Sequence, residues 1–242
     1  MWRRLINTCI EIIYPKACVV CKIKLKDRPA IDNFVCLDCW GKIKRNLPPF
    51  CLHCGRHLAV SNFIKNICPG CVKQPLHFDR AFSVTRYEGV IRELIHEFKY
   101  KSKDYLGGTL SRLMIEFVRE YDLPMDFIDF IIPVPLYKTR LREREFNQAQ
   151  ILSNYIAGEF NKTVLPDSLM RSRNTKTQTE LEMDERLLNV KNSFSVAKKD
   201  NIKGKNLLLV DDVLTTAATS SEAAYALKNA GANIVFVLTL AN

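Results

Sequence analysis

The sequence predicts an α/β fold, a parallel sheet with helices on both faces, preceded by a small cysteine-rich module. Three observations predict it. After residue 77, apolar runs of strand length (127–134, 207–213 and 233–240) alternate with helical periodicities, the pattern of strands buried on both sides. All nine cysteines lie before residue 72. The charge divides at the same place: residues 1–77 hold 13 Lys and Arg against 4 Asp and Glu, and residues 78–242 hold 23 against 22. Two unlike objects therefore join near Pro75. The expected organisation is an amphipathic helix over 1–13, a metal-bound module over 14–76 and an α/β domain over 77–242, with separate cores for the last two.

Composition bounds the function classes. With 242 residues, 47% hydrophobic and 26% charged, the chain has the balance of a folded protein and not of a disordered one. No stretch of about 18 uncharged apolar residues exists, so no membrane span is expected. Glu11 interrupts the N-terminal apolar run and no small-residue cleavage site follows, which argues against a secretory signal and for a cytoplasmic protein.

In chain order, the first element is the helix over 2–13. Trp2, Leu5, Ile6, Cys9, Ile10 and Ile13 share one face, which makes Cys9 a buried thiol. That face suits docking onto the body or a partner, and Trp2 with Arg3 and Arg4 also suits a membrane interface.

Next come four Cys-x-x-Cys pairs: Cys18 and Cys21, Cys36 and Cys39, Cys51 and Cys54, Cys68 and Cys71. A two-residue spacer lets two thiolates from one turn reach one metal, and a second turn completes a tetrahedron. Two zinc ions are expected, since a reducing compartment disfavours a disulfide framework. The spacing leaves open whether neighbouring or interleaved pairs share a metal. His53 and His57 flank Cys54 and are read as bystanders. Lys22, Lys24, Lys26, Arg28, Lys42, Lys44 and Arg45 surround the first ribbon, with Phe34, Trp40 and Phe50 among them. Cations with aromatics suit single-stranded DNA, by phosphate contact and base stacking. A solvated basic face over a small core fits the same residues.

The α/β part opens with a strand over 79–87. A helix follows with Ile91, Leu94, Ile95 and Phe98 on one face. A second, about 105–121, turns Leu106, Leu110, Leu113, Met114 and Phe117 inward. A strand over 127–134, a helix over 147–160, a strand over 207–213, a helix over 220–229 stopped at Gly231 and a strand over 233–240 complete the domain. Ligands of such sheets bind at the carboxyl ends of the strands. There Asp211 and Asp212 stand side by side and lead through Thr215, Thr216, Ala217, Ala218 and Thr219 into a helix. Adjacent carboxylates repel unless ribose hydroxyls, a metal or an arginine compensates them. A helix N-terminus rich in small and hydroxyl residues favours a phosphate. Together they describe a pentose-5-phosphate site. Arg140, Arg142 and Arg144 follow one strand end, and Arg171 and Arg173 head a polar loop reaching Arg186. Guanidinium groups there suit a dense anion such as pyrophosphate, as does Lys99 at a helix end.

The string from Leu207 through Thr219 resembles the phosphoribosyl-pyrophosphate loop of type I phosphoribosyltransferases. Ile132-Pro-Val-Pro135-Leu, Arg144-Glu145-Phe146-Asn147-Gln148, and Arg171-x-Arg173-x-Thr175-x-x-Gln178 through Arg186 and Asn189 look like the ComF family, as do the four Cys-x-x-Cys pairs. The resemblance spans about residues 14–241. It implies a type I phosphoribosyltransferase fold behind a double zinc ribbon, and a part in DNA uptake during natural transformation. It implies that Asp211 and Asp212 hold the ribose hydroxyls, directly or through Mg²⁺, and that Thr215 to Thr219 cradle the 5′-phosphate. Asp211, Asp212, Arg144 and Arg171 are then the expected catalytic residues, with Lys99 and Arg173 on the substrate. A competence helicase-like protein is an implied partner. Two positions depart from the family pattern: Ala217 stands where glycine is usual, and Glu145 replaces the glycine before Phe146. Thr215 also stands where several catalytic relatives carry a carboxylate base. Two functions remain open, an Mg²⁺-dependent phosphoribosyl transfer or pyrophosphate release, and a nucleotide or phosphoribosyl-pyrophosphate sensor that binds DNA or a partner through its ribbons.

Overall fold

The computed structural model describes residues 16–26, 28–58, 66–100, 103–173, 190–197 and 201–242. The expected helix over 2–13, its Cys9, and the motif positions Thr175, Gln178, Arg186 and Asn189 lie outside the described residues.

The first ribbon pairs two short antiparallel strands, β1 (Ala30–Ile31) and β2 (Val35–Cys36), and runs into helix α1 (Leu37–Gly41). Asp32 and Asn33 turn the hairpin at positive φ (49° and 59°), a conformation these residue types tolerate. In the second ribbon, helix α2 (Pro69–Lys73) starts on Pro69, where a missing N–H removes no helical bond.

The α/β elements are β3 (Arg80–Thr85), α3 (Gly89–Lys99), α4 (Leu106–Glu120), β4 (Phe130–Pro133), α5 (Lys138–Arg144), α6 (Gln148–Phe160), β5 (Thr163–Val164), β6 (Leu169–Arg171), β7 (Phe194–Val196), β8 (Asn206–Val213), α7 (Ala218–Asn229) and β9 (Ile234–Ala241). Five strands form one parallel sheet in the order β3-β9-β8-β4-β5, and β6 and β7 make an antiparallel hairpin. The period of two along a strand sends alternate side chains to opposite faces. Leu208 and Val210 join Ile91, Leu110 and Leu152 from α3, α4 and α6, whereas Leu207 and Leu209 join Ala223 and Leu227 from α7 and Phe194 from the hairpin. Both faces are covered.

Three local differences from the expected elements have physical causes. β4 begins at Phe130, because residues 125–127 form a 3-10 turn and the Asp129 carboxylate accepts from the Asn206 N–H at 2.8 Å. The segment carrying Arg140, Arg142 and Arg144, for which the sequence pattern gives no element, is helix α5, whose one large apolar residue, Leu141, is exposed and gives no periodicity. Arg171 belongs to a strand, since β6 pairs with β7, which enters the sequence more than 20 residues later.

The ribbons do not keep separate cores. Cys18, Val35, Cys36, Cys39 and Ile43 are buried in the cluster that holds Leu110, Phe117 and Leu208. Cys51, Cys54, Leu58 and Cys68 are buried in the other, with Leu207, Leu214 and Ala223. Phe34 packs on Tyr105 (centroids 4.5 Å), and Phe50 on Tyr121 (5.1 Å) and Phe117 (5.9 Å). The ribbons also close the edge of β3, which would otherwise expose unpaired backbone. The Asn46 N–H donates to Val84 O at 2.9 Å and the Ala81 N–H to His53 O at 2.6 Å. The buried Asn46 amide donates to Gly55 O and Ser83 O. Gly55, at φ 68°, lies so close to the Ala81 carbonyl that a Cβ would collide with it.

Candidate functional site

β8 ends at the acid pair. Asp212 is buried and bound to the Lys99 ammonium at 2.7 Å, while the Asp211 carboxylate accepts from the Asp212 N–H at 2.8 Å. The last turn of α3 thus delivers Lys99 to the end of β8. Burial, with the Asp212 charge adding to it, raises the Asp211 pKa to about 7 against the pull of Lys99 and Arg171. Burial works against the Lys99 ammonium, but its contact with Asp212 prevails and raises its pKa.

From Leu214 the chain turns into α7. Ala217 is the residue before the helix, at φ 62°, in the left-handed region. Glu145, at the end of α5, also sits there, at φ 66°. Both positions at which the family pattern has glycine therefore adopt the backbone that glycine accepts without strain. The N-terminus of α7 opens on a cavity of about 390 Å³ that also receives Asp211, Asp212, Lys99, Arg144 and Arg171. Its size is that of a small-molecule site.

Five lysines and arginines line this cavity against two aspartates, and the second side of the wall is α5 and β6. Burial lowers the Arg171 pKa to about 10, and the Arg140 and Arg144 charges push the same way. Arg144 donates to the Gln148 amide oxygen at 3.2 Å and lies over the Tyr100 ring. Asn147 caps α6 by accepting from the Ala149 N–H, and its amide donates to Val134 O. That fixes the turn between the arginine helix and α6.

The cavity brings together Asp211, Asp212, Arg144, Arg171, Lys99, Thr215, Ala217, Ala218 and Thr219. Two expected residues lie elsewhere. Arg173 donates to Lys191 O and is absent from the lining, and Thr216 faces a second hollow behind the loop. Tyr87, Arg92, His96 and Tyr100, which sequence patterns do not single out, also line the cavity. Arg92, His96 and Tyr100 recur every four residues on the side of α3 opposite Ile91, Leu94, Ile95 and Phe98. The polar face of that helix is the one signal of them in the sequence.

The eight cysteines form two clusters, Cys18, Cys21, Cys36 and Cys39, and Cys51, Cys54, Cys68 and Cys71, with all sulfurs of each within 4.8 Å of one another. Neighbouring pairs, not interleaved ones, come together. The two repeat each other in detail. Cys21 and Cys36 sulfurs are 3.7 Å apart, as are those of Cys54 and Cys68. The Cys36 N–H donates to the Cys18 sulfur and the Cys68 N–H to that of Cys51. A tetrahedron of bonds of about 2.3 Å puts sulfurs about 3.8 Å apart, so the donor sets fit two zinc ions. Hydrogen bonds from Cys54 and Cys71 lower the Cys51 pKa while the Cys54 thiol is pushed up to about 12. Four thiols this close need a cation to ionise together. His57 is engaged with Leu47 O at 2.8 Å, and neither His53 nor His57 joins a cluster.

On the basic face, Lys22 meets Glu97, Lys44 meets Glu88 and Arg45 meets Glu116. Phe34 and Phe50 are spent on the packing against α4. Among the described residues, no helix is long and apolar enough to cross a membrane.

Two family descriptions match the chain: a double zinc ribbon domain over residues 9–72 and a phosphoribosyl transferase domain over residues 148–242. The chain is 32% identical over 227 residues to "Competence protein F" of Haemophilus influenzae, a match covering 93% of this chain and 96% of that protein. It is 29% identical over 231 residues to the "DNA utilization protein YhgH" of Salmonella typhi, over 93% and 96% of the two chains. It is 28% identical over 207 residues to "Competence protein ComFC" of Bacillus subtilis, over 83% and 80%.

Proposed function

Because the chain belongs to the family of competence protein F, we propose that its cavity binds phosphoribosyl pyrophosphate with Mg²⁺ and that this serves the handling of DNA taken up by the cell. In this reading Asp211 and Asp212 receive the ribose hydroxyls and the Mg²⁺. The turn from Thr215 to Thr219 takes the 5′-phosphate at the N-terminus of α7. Lys99, Arg144 and Arg171, joined by Arg140, face the pyrophosphate. The observation that carries the reading is the convergence of acid pair, helix N-terminus and arginines on one cavity. The acid pair suits a divalent ion, since Mg²⁺ is commonly held by one or two carboxylates together with substrate phosphates, and a cation there would offset the burial that, with the Asp212 charge, raises the Asp211 pKa.

Transfer from the anomeric carbon, with pyrophosphate leaving, is the reaction this arrangement suits. Charge then moves onto the pyrophosphate, where fixed guanidinium groups act most strongly. A second reading, a site that holds the ligand as a signal while the ribbons engage DNA or a partner, is favoured by one observation. Asp211 and Asp212 are the only carboxylates among the described lining residues, so among the described residues no further carboxylate base faces the ligand. Incubation with phosphoribosyl pyrophosphate and Mg²⁺, alone and with candidate acceptors, separates the two. Transfer predicts pyrophosphate release that Asp211→Asn reduces by at least about a hundredfold, and release no faster than in the Asp211→Asn control leaves the signal reading.

A further inference from the structure

The second ribbon stands directly behind the loop that faces the cavity. Leu214 and Ala217 are buried in the same cluster as Cys51, Cys54, Leu58 and Cys68. A hollow of about 60 Å³ is bounded on one side by Cys54, Cys68 and Cys71 and on the other by residues 214–217. Arg56, two residues after Cys54, lines it and donates to Thr215 O at 3.4 Å. The His77 N–H, just past this ribbon, donates to the Ser221 hydroxyl in the first turn of α7 at 3.1 Å. The first ribbon stands elsewhere: Cys18, Cys36 and Cys39 are buried in the cluster on the other face of the sheet, with residues of α3, α4 and α6, Cys21 is exposed, and none of the four borders the hollow behind the loop.

The loop needs an external support. Ala217 holds a left-handed conformation that is costly for a residue with a Cβ, and such strain persists only where the surroundings impose it. The second ribbon is one part of those surroundings, beside β9, whose Ala241 carbonyl accepts from the Leu214 N–H at 2.8 Å.

We infer that the second zinc ribbon, through Arg56 and the packing of Leu214 and Ala217, positions the phosphate loop, so that metal in this ribbon and ligand at the loop are coupled while the first ribbon is not. The inference rests on the reading that the loop takes a phosphate, and it adds a division of labour between two ribbons that look alike. Coupling of this kind is reciprocal. Arg56 is a positioning residue, since it reaches the backbone of the loop and not the cavity.

The test compares full-length chains carrying Cys71→Ser in the second ribbon and Cys21→Ser in the first, one ligand lost from each. Cys71→Ser is expected to speed amide hydrogen exchange over 214–220 in the ligand-free protein and to weaken phosphoribosyl-pyrophosphate binding about tenfold or more. Cys21→Ser is expected to do neither, with exchange in the centre of β8 unchanged in both. Equal effects of the two substitutions on the loop would overturn the inference. Should Cys71→Ser not fold, Arg56 decides. Arg56→Ala, with both zinc ions retained, is expected to weaken binding about three- to tenfold and to speed loop exchange, and Arg56→Lys to restore part of both; unchanged loop exchange in Arg56→Ala rejects it. If the wild-type chain binds no phosphoribosyl pyrophosphate, the functional reading fails, while loop exchange still decides whether the ribbon positions the loop.

Discussion

At Asp211 burial, with the Asp212 charge beside it, disfavours the ionised carboxyl. Its raised pKa, about 7 in the folded chain, lies above the usual unfolded value of about 3.9. Below pH 4 the carboxyl is protonated in both states and contributes nothing to the pH dependence. As pH rises from about 4 to 7 the unfolded chain gives up its proton first, so the folded state binds more protons and stability falls. Asp211→Asn removes this term and keeps an oxygen for the Asp212 N–H. Without ligand or Mg²⁺, its stability relative to wild type should be about equal at pH 4 and greater at pH 8, on the order of 2 kcal/mol after allowance for solvent screening. Denaturant melts at the two pH values check this, and a difference independent of pH would contradict it. The acid pair was legible in the sequence because two adjacent acids at the end of an apolar strand have no structural use. The Lys99 contact was legible only as a residue type at a helix end. Arg92 and His96 were not, because a polar residue on an outward helix face reads as solvated until the fold sets a cavity in front of it.

Two turns show how elements shape the site. α5 ends on Glu145 and α7 starts after Ala217, both left-handed. Glycine at either position relieves backbone strain of about 1–2 kcal/mol but also frees the unfolded chain, which takes back about 0.4–1 kcal/mol. Ala217→Gly and Glu145→Gly should therefore each stabilise the chain by about 0.5 kcal/mol, measured by urea denaturation. Destabilisation by either would show that the side chain outweighs its backbone. The long helices and the central strands were legible from periodicity, since each buries one continuous stripe or both faces. The arginine helix α5 and the hairpin of β6 with β7 were not. A seven-residue helix with an exposed leucine has no stripe to read, and a strand pair formed across a long connection leaves no local pattern.

At the scale of the molecule, the boundary near residue 77 separates two motifs whose cores are shared. Asn46, Phe34 and Phe50 tie the ribbons to β3 and α4, and the composition shift that marked the boundary carries no information about such docking. Zinc should therefore stabilise the whole chain. The purified protein should hold about two Zn²⁺, and their removal should lower a single cooperative transition seen by probes in both regions. A sheet domain melting at its original midpoint after chelation would show that the cores are independent. The central claim is that acid pair, loop and arginines form one phosphoribosyl-pyrophosphate site, and calorimetric titration of the zinc-loaded chain with this ligand and Mg²⁺ tests it most directly. The predicted result is saturable binding at one site per chain, abolished in Asp211→Asn with zinc content unchanged. Absence of binding by the folded wild-type chain, or undiminished binding by the variant, would contradict it.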